Sequence, residues 1–156
     1  MKKVLFLHGL ESQPGGKKPK FLQGKGFEVF NPSLPKTSFD ESVSIAQSII
    51  DVESIDAVVG SSRGAAVAMC LELKGSGIVL IAPAWKKFPM SQNTDRNLSQ
   101  DAMIIHSKDD EVVAYADSEK LAKTSGAKLV TAGADHRMRD VDALEAILDA
   151  TTWVTR

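Results

Sequence analysis

A serine lies between two glycines in the segment Gly60-Ser61-Ser62-Arg63-Gly64, which follows the apolar run 57–59 and precedes an alanine-rich stretch. This order predicts a strand, a sharp turn and a helix, with Ser62 at the tip of the turn. Strand and helix backbones pass close together there, and glycine leaves room for them because it has no Cβ. Ser62 is therefore a candidate nucleophile, although a five-residue pattern of this kind also occurs by chance.

A serine hydroxyl needs a base to take its proton and a carboxylate to orient that base. Of the three histidines, His136 is the best candidate base, because it lies in a predicted loop between the last strand and the last helix. His106 ends an apolar strand, where a buried structural histidine is the more common finding, and His8 lies at the matching place on the first strand. We expect His136 to accept the proton.

The orienting acid is expected in the segment Lys108-Asp109-Asp110-Glu111-Val112-Val113, which holds three acids in a row. Charge alone does not distinguish them, and two of the three are expected to form a solvated acidic turn. Asp135 is adjacent to His136, but neighbouring side chains in a loop tend to project apart, so it is interpreted as a turn or capping residue.

Short apolar runs predict the strands that position these residues, at 4–7, 27–30, 56–59, 78–81, 102–105 and 128–130. Helical periodicity predicts helices at 38–52, 65–73, 115–125 and about 140–153, with a capping box at Ser38 and Glu41 and a C-terminal glycine at Gly126. Alternating strands and helices indicate a parallel sheet covered on both faces. Ser62, the acidic segment and His136 each follow the carboxyl end of a predicted strand, and parallel sheets bind ligands at this edge. Segments 10–19 and 83–100 fit neither the helical nor the strand pattern.

Composition limits the class of protein. A chain of 156 residues fits one domain, 1–156, and its 19 basic and 20 acidic residues produce no field that favours nucleic acid or an anionic membrane. The single cysteine, Cys70, excludes an internal disulfide and is interpreted as a small buried hydrophobe, which favours a reducing compartment. No apolar run approaches the roughly 20 residues of a membrane-spanning helix, so we expect a cytoplasmic protein.

Four local patterns, in order along the chain, resemble those of the α/β-hydrolases, of the minimal bacterial, dienelactone-hydrolase-like kind. His8-Gly9-Leu10 is similar to the oxyanion loop of that family, and residues 60–64 are similar to its nucleophile elbow. His106-Ser107-Lys108-Asp109-Asp110-Glu111-Val112-Val113 is similar to its acid loop, and Gly133-Ala134-Asp135-His136 to its base loop. These matches span nearly the whole chain, and together they are far more specific than any one alone.

The resemblance implies a role for each residue. The family's acid stands four places after the histidine of its acid loop, with a valine three places beyond, which puts the acid on Asp110 and the valine on Val113. The chain order Ser62, Asp110, His136 is also the family's order of serine, acid and histidine. Two departures are minor: Ser107 replaces a glycine, and Ala114 replaces a frequent proline.

The implied fold is a truncated α/β-hydrolase fold without the family's first two strands. It is a three-layer, doubly wound α/β structure with six parallel strands in the order 2-1-3-4-5-6. The order reverses between strands 1 and 3, which bear Leu10 and Ser62. The implied oxyanion hole consists of the backbone N–H groups of Arg63 and Leu10, with Glu11 as the alternative to Leu10.

The implied function is that of a serine hydrolase, of carboxylesterase or thioesterase type, which acts on a small acyl ester through an acyl-serine. The alternative is a catalytically inactive binding protein that keeps the hydrolase fold. Esters, thioesters, lactones and amides all stay open as substrates. Trp85, Phe88 and Met90 are candidates for an acyl pocket, or are simply packed down, and Arg63 is expected either to meet an acidic substrate or to pair with a carboxylate.

Other classes of function fit less well. The segment 9–18 contains glycine and lysine but lacks the spacing of a phosphate-binding P-loop. Lys17, Lys18, Lys20 and Lys25 have no aromatic stacking platform among them, so a solvated helix face is expected rather than a nucleic-acid surface. No ligand pair has metal-binding spacing, and no metal or cofactor is expected. The expected partner is a small acyl substrate, and the oligomeric state stays open.

Overall fold

Six strands and five α-helices alternate in the computed structural model, which describes residues 1–88, 91, 98 and 101–156. The strands are β1 (Lys3–Leu7), β2 (Glu28–Phe30), β3 (Ala57–Ser61), β4 (Gly77–Ile81), β5 (Ala102–His106) and β6 (Lys128–Thr131). The helices are α1 (Lys17–Gly24), α2 (Phe39–Val52), α3 (Arg63–Met69), α4 (Tyr115–Ser125) and α5 (Val141–Val154). A short 3-10 helix at Trp85–Lys87 follows β4.

The strands form one parallel sheet in the order β2-β1-β3-β4-β5-β6, which confirms the predicted topology. In the register of the two central strands, Leu7 of β1 lies beside Gly60 of β3. The strand order reverses between these two strands, and in parallel sheets this is where a crevice opens at the carboxyl ends. The loops after β1 and β3 therefore meet at one edge of the sheet.

Alternate strand residues pack against the two helical layers. Leu5 and Leu7 belong to a core formed with helices α2, α3 and α4, whereas Val4 and Phe6 belong to a second core formed with α1 and α5. All four side chains are essentially inaccessible to solvent. Full burial of such a side chain stabilises a protein by about 1.5–3 kcal/mol. Burial on both faces therefore fixes the position of β1, and with it the start of the loop that follows this strand.

The predicted helix ends are present. The Ser38 hydroxyl accepts a hydrogen bond from the Glu41 backbone N–H at 3.1 Å, which caps α2. Gly126 ends α4 in the left-handed region at φ 79°, and its N–H donates to the Ala122 carbonyl at 3.0 Å. The Asp140 carboxylate caps α5 by accepting from the backbone N–H of Ala143.

Other features differ from the sequence-based expectation. Helix α1 begins inside the segment 10–19, for which the sequence predicted neither helix nor strand. This helix buries only Pro19 and Leu22, so its sequence shows little helical periodicity of apolar residues. Helix α3 ends at Met69 rather than at residue 73. Beyond it the Glu72 N–H bonds to the Gln47 side chain at 2.9 Å, a tertiary contact invisible in local sequence. Cys70, expected to be buried, is half-exposed.

Along the described residues, no helix combines the length and apolar character that crossing a membrane requires.

Candidate active site

Ser62 occupies a strained turn between β3 and α3. Its backbone has φ 55° and ψ −113°, a region that residues with a side chain seldom adopt and that concentrates at functional sites. The Ser62 N–H donates to the Ile81 carbonyl at 2.8 Å, and the Ser62 carbonyl accepts from the Ala84 N–H at 3.2 Å. Two hydrogen bonds to the end of β4 and the loop after it therefore hold the strained backbone in place.

The two glycines flanking this turn are required by backbone contacts. A Cβ on Gly60 would lie 2.5 Å from the Gly64 carbonyl oxygen and 2.7 Å from the Ala65 Cα. A Cβ on Gly64 would lie 2.6 Å from the Leu7 carbonyl carbon and 2.7 Å from the His8 oxygen. Neither set of backbone atoms can move aside cheaply, so the close approach predicted for this turn is present on both flanks.

Ser62, His136 and Asp110 come together at the carboxyl edge of the sheet. The Ser62 Oγ lies 3.0 Å from His136 Nε2, and His136 Nδ1 lies 2.7 Å from Asp110 Oδ2. Because a carboxylate oxygen only accepts hydrogen bonds, Nδ1 carries the ring proton. This leaves the Nε2 lone pair facing the Ser62 hydroxyl, which is the arrangement that removes a proton from serine.

Asp110 is the acid of its segment that lies inside the protein. Its side chain is fully buried, and its Oδ1 accepts from the backbone N–H groups of Val112 at 2.7 Å and Val113 at 2.8 Å. Burial alone would raise the pKa of Asp110, but the hydrogen bonds from Val113, His136 and Val112 hold this pKa below its ordinary value. Asp109 and Glu111 are exposed, as expected of a solvated turn.

His106 is a second histidine on the same carboxylate. Its Nε2 lies 2.9 Å from Asp110 Oδ2 and 3.1 Å from the Val113 carbonyl oxygen, and its Nδ1 lies 2.6 Å from Ser118 Oγ. Since Nε2 faces two acceptors, it carries the proton, and Nδ1 accepts from the Ser118 hydroxyl. A buried histidine was expected here, but its bond to the acid was missed. The four-residue spacing from His106 to Asp110 across a turn is the signal that indicates it.

Ser107, which replaces a glycine of the family pattern, joins two loops of the site. Its hydroxyl donates to the Gly133 carbonyl at 2.9 Å and accepts from the Asp109 N–H at 3.0 Å. The first bond ties the acid loop to the loop that carries His136, and the second closes the turn before Asp110. This departure therefore adds a contact that sets the spacing of acid and base.

The loop that carries His136 is held by α5. The N–H groups of Gly133 and Ala134 donate to the carboxylates of Asp142 and Asp140, at 2.9 and 3.1 Å. Asp135 Oδ1 accepts from the backbone N–H groups of Arg137 and Met138, at 3.0 and 3.3 Å, and so makes a turn. The structure thus places Asp135 in the local role that the sequence predicted and Asp110 beside the imidazole.

The loop after β1 lies against Ser62. A Cβ on Gly9 would lie 3.5 Å from the Ser62 Cβ, and the Ser12 N–H closes a turn onto the Gly9 carbonyl at 3.2 Å. Leu10 and Glu11 are the central residues of this turn. Within the described part of the chain, the backbone N–H groups of Leu10, Glu11 and Arg63 donate to no protein acceptor, so all three stay candidates for the oxyanion hole.

His8 supports this loop from below. Its ring is almost entirely buried, with Nδ1 2.8 Å from the Gly9 carbonyl and Nε2 accepting from the Leu34 N–H at 3.0 Å. Both ring nitrogens are therefore engaged with backbone. His8 positions the turn at Leu10 and is not a second base.

A cavity of about 540 Å³ opens over the Ser62 hydroxyl and the His136 ring. Phe88 lines it, as the sequence suggested. Trp85 does not: it is 4% exposed, packs in the core, and its indole N–H donates to the Asp117 carbonyl at 3.1 Å. Trp85 is therefore corrected from a candidate pocket residue to a packed core residue, the alternative that the sequence also allowed. Met90 lies outside the described residues.

The Arg63 side chain departs from one of the two expectations for it, a pairing with a carboxylate, and Arg63 is among the residues that line the cavity. It is buried, donates to Ser42 Oγ at 3.2 Å and to the Pro35 carbonyl at 2.9 Å, and lies 5.5 and 5.9 Å from the rings of Phe39 and Phe88. Burial lowers the pKa of its guanidinium. Among the described residues no carboxylate pairs with it. Arg63 thus fastens the start of α3 to α2 and the segment before it.

Basic side chains surround the cavity, and sequence reasoning missed them. Lys18, Lys87, Arg137 and Arg139 all line it. Lys18 was expected on a solvated helix face, and this is corrected because α1 begins at the same sheet edge as the site. Nowhere in the described residues do three or more His, Cys, Asp or Glu side chains form a group that could hold a metal ion.

Comparison with known proteins shows likeness of structure. No family model and no curated protein matches the sequence. The ydeN gene product of B. subtilis has 16% identity and a TM-score of 0.79, over 99% of this chain and 98% of that one. The esterase domain of a Rhodothermus marinus protein has 16% identity and a TM-score of 0.78, over 99% and 87%. Mouse alpha/beta hydrolase domain-containing protein 10 has 14% identity and a TM-score of 0.75, over 96% and 88%. None of these three names specifies the dienelactone-hydrolase-like subtype.

Proposed function

We propose that this chain, whose fold is that of the α/β-hydrolases, is a serine hydrolase that cleaves small acyl esters or thioesters through an acyl-serine. The single observation that carries the proposal is the continuous hydrogen-bonded series from Ser62 through His136 to Asp110, at 3.0 and 2.7 Å, open to a cavity of about 540 Å³. The hydrolases and esterases among its structural neighbours are consistent with it.

The first half-reaction forms the acyl-serine. Ser62 Oγ attacks the carbonyl carbon of the substrate while His136 Nε2 takes the hydroxyl proton, and Asp110 stabilises the imidazolium that results. The carbonyl oxygen becomes an oxyanion, which the N–H groups of Leu10 and Arg63 bind, with Glu11 as the alternative to Leu10. The intermediate then collapses, the bond to the leaving alcohol or thiol breaks, and His136 returns the proton to it.

The second half-reaction releases the acid. A water molecule attacks the acyl carbon, His136 takes one of its protons, and the same backbone N–H groups bind the second oxyanion. Collapse breaks the bond to Ser62 Oγ, which recovers its proton from His136. The products are a carboxylic acid and the free serine, and no redox step or co-reactant besides water is required.

Covalent labelling tests the proposal directly. A fluorophosphonate probe is expected to label the native protein at Ser62, and the protein is expected to hydrolyse p-nitrophenyl acetate. Ser62→Ala should abolish both, because it removes the attacking oxygen. His136→Ala should abolish turnover, because it removes the base that takes the serine proton. Ser12→Ala is the matched control, since Ser12 lines the same cavity, whereas the hydrogen bonds of His136 to described residues go to Asp110 and Ser62.

A correctly folded native protein that takes no label and turns over no ester would contradict the proposal. That outcome would favour the alternative, a binding protein that keeps the hydrolase fold without activity. A panel of p-nitrophenyl esters and matching thioesters of increasing acyl length would then separate carboxylesterase from thioesterase activity in the active protein.

A further inference from the structure

Two cavities adjoin at the carboxyl edge of the sheet. The larger, of about 540 Å³, contains Ser62 and His136, and a smaller one of about 220 Å³ lies beside it under the loop after β1. Gly9, Ser12 and Lys18 are among the residues that line both. The two cavities are therefore neighbours, and the smaller one lies within reach of a substrate that extends from Ser62.

The linings of these two cavities carry an excess of positive charge. Lys17, Lys18 and Arg139 line the smaller cavity, and none of the described residues in its lining is acidic. The larger cavity adds Arg63, Lys87 and Arg137, and among the described residues Glu11 is the one acid in its lining. The whole chain has a formal net charge of −1, so the excess is local to this edge.

Most of these charges have no strong partner in the protein. In the parts of the chain that the structure describes, the side chains of Lys17, Lys87, Arg137 and Arg139 make neither a hydrogen bond nor an ion pair. Glu11 is not available to neutralise them fully, because its carboxylate lies 3.9 Å from the Lys36 ammonium outside the two linings. The charge of Asp140, outside both linings, acts on Lys17 without forming an ion pair, so these cations keep the capacity to bind an anion.

Lys18 lies at the junction of the two cavities. Its ammonium donates to the Arg137 carbonyl at 2.7 Å. Burial, together with the charge of Arg139, lowers the pKa of Lys18 to about 8, although the carboxylate of Asp135 acts in the opposite direction. The cations crowd one another, and an anionic group placed between them would relieve this repulsion.

We propose that these cavities select esters with an anionic oxygen group, a carboxylate or a phosphate, remote from the scissile bond. The anionic group lies in the smaller cavity between Lys17, Lys18 and Arg139, while the ester carbonyl lies against Ser62. The selectivity rests on the proposed hydrolase activity, which turnover of a neutral ester measures separately.

Two matched substrate pairs test this selectivity. In the first pair, mono-p-nitrophenyl adipate has a carboxylate in its acyl part, and its methyl ester is the neutral equivalent. In the second pair, 4-acetoxybenzoate has a carboxylate in its alcohol part, and 4-acetoxybenzamide is the neutral equivalent. We expect kcat/KM to favour the acid by about tenfold in at least one pair, mainly through KM, and high salt to reduce the preference because exposed charges are screened.

Variants then assign the preference to these residues. Lys17→Gln and Arg139→Gln are each expected to lower the ratio of acid to neutral kcat/KM by about two- to fivefold. Lys123→Gln, which removes the same charge from an exposed position on α4 outside both linings, should leave the ratio and the turnover of the neutral ester unchanged. Competition by benzoate or by phenyl phosphate identifies which anion the site prefers.

Equal or faster turnover of the neutral member of both pairs would overturn the selectivity while leaving the hydrolase activity intact. An acid preference that survives in both Lys17→Gln and Arg139→Gln would overturn its assignment to this cluster. Loss of all ester turnover in the native protein would instead refute the proposed function itself.

Discussion

Replacement of Asp110 by asparagine is the sharpest test of the catalytic geometry, because it changes one atom and keeps the shape of the side chain. Asp110 Oδ1 accepts two backbone N–H groups, from Val112 and Val113, at 2.7 and 2.8 Å. An asparagine will therefore keep its amide oxygen at this position and place its NH₂ where Oδ2 stands. That NH₂ group then faces the two imidazoles of His136 and His106 at 2.7 and 2.9 Å.

The magnitude of the effect depends on the ring proton of His136. An NH₂ group cannot accept from Nδ1–H, so the His136 ring must carry its proton on Nε2 instead, where it points at the Ser62 hydroxyl and cannot remove a proton. In a Ser-His-Asp triad this tautomer costs on the order of 10⁴ in kcat. This corresponds to ~5 kcal/mol of lost transition-state stabilisation. We expect the same order here, with KM little changed.

Steady-state hydrolysis of p-nitrophenyl acetate measures the loss, with circular dichroism and thermal unfolding to verify that the variant folds. Asp109→Asn and Asp135→Asn are the matched controls, because each removes one carboxylate charge nearby without touching His136. Both should keep most of the activity. A folded Asp110→Asn protein with kcat within about tenfold of the native value would refute the tautomer argument, and a crippled Asp135→Asn would show that the acid is misassigned.

Three further outcomes are expected. His106→Leu should lower kcat about tenfold, because it removes the hydrogen bond of His106 to the charged carboxylate of Asp110. His106→Gln should restore part of the loss, and an equal loss in both variants would count against a positioning role. Gly64→Ala should lower the free energy of unfolding by about 3 kcal/mol, measured with urea, because its Cβ would press on backbone, whereas Gly24→Ala, with nothing within 4 Å, should not. Folding lowers the pKa of Asp110, so its stabilising effect should be complete above the unfolded value of about 3.9 and lost as pH falls through the folded one. Urea unfolding at several pH values should show a flatter acid limb in Asp110→Asn, and identical limbs would argue against this linkage.

Much of the fold was predictable because it depends on local patterns. Buried parallel strands are short apolar runs, and the alternation of such runs with amphipathic segments leaves few topologies. The glycines at 60 and 64 indicate a tight turn from the sequence alone, and in the structure a Cβ at either position would clash with backbone atoms. The weak points were short elements such as α1, whose two buried residues make no visible period.

The sequence by itself determined which residue types lie at the carboxyl edge of the sheet, since that depends on strand order and on the residues at the end of each strand. Only the tertiary structure decided how they pair. The sequence could not show that His106 shares the carboxylate of Asp110 or that the Arg63 side chain lies between α2 and the elbow. Nor could it show that Lys18 lines the cavity of Ser62 and Lys17 the smaller cavity beside it. These contacts join segments far apart in the chain or across a turn, and their geometry depends on how helices pack on the sheet, which no local pattern records.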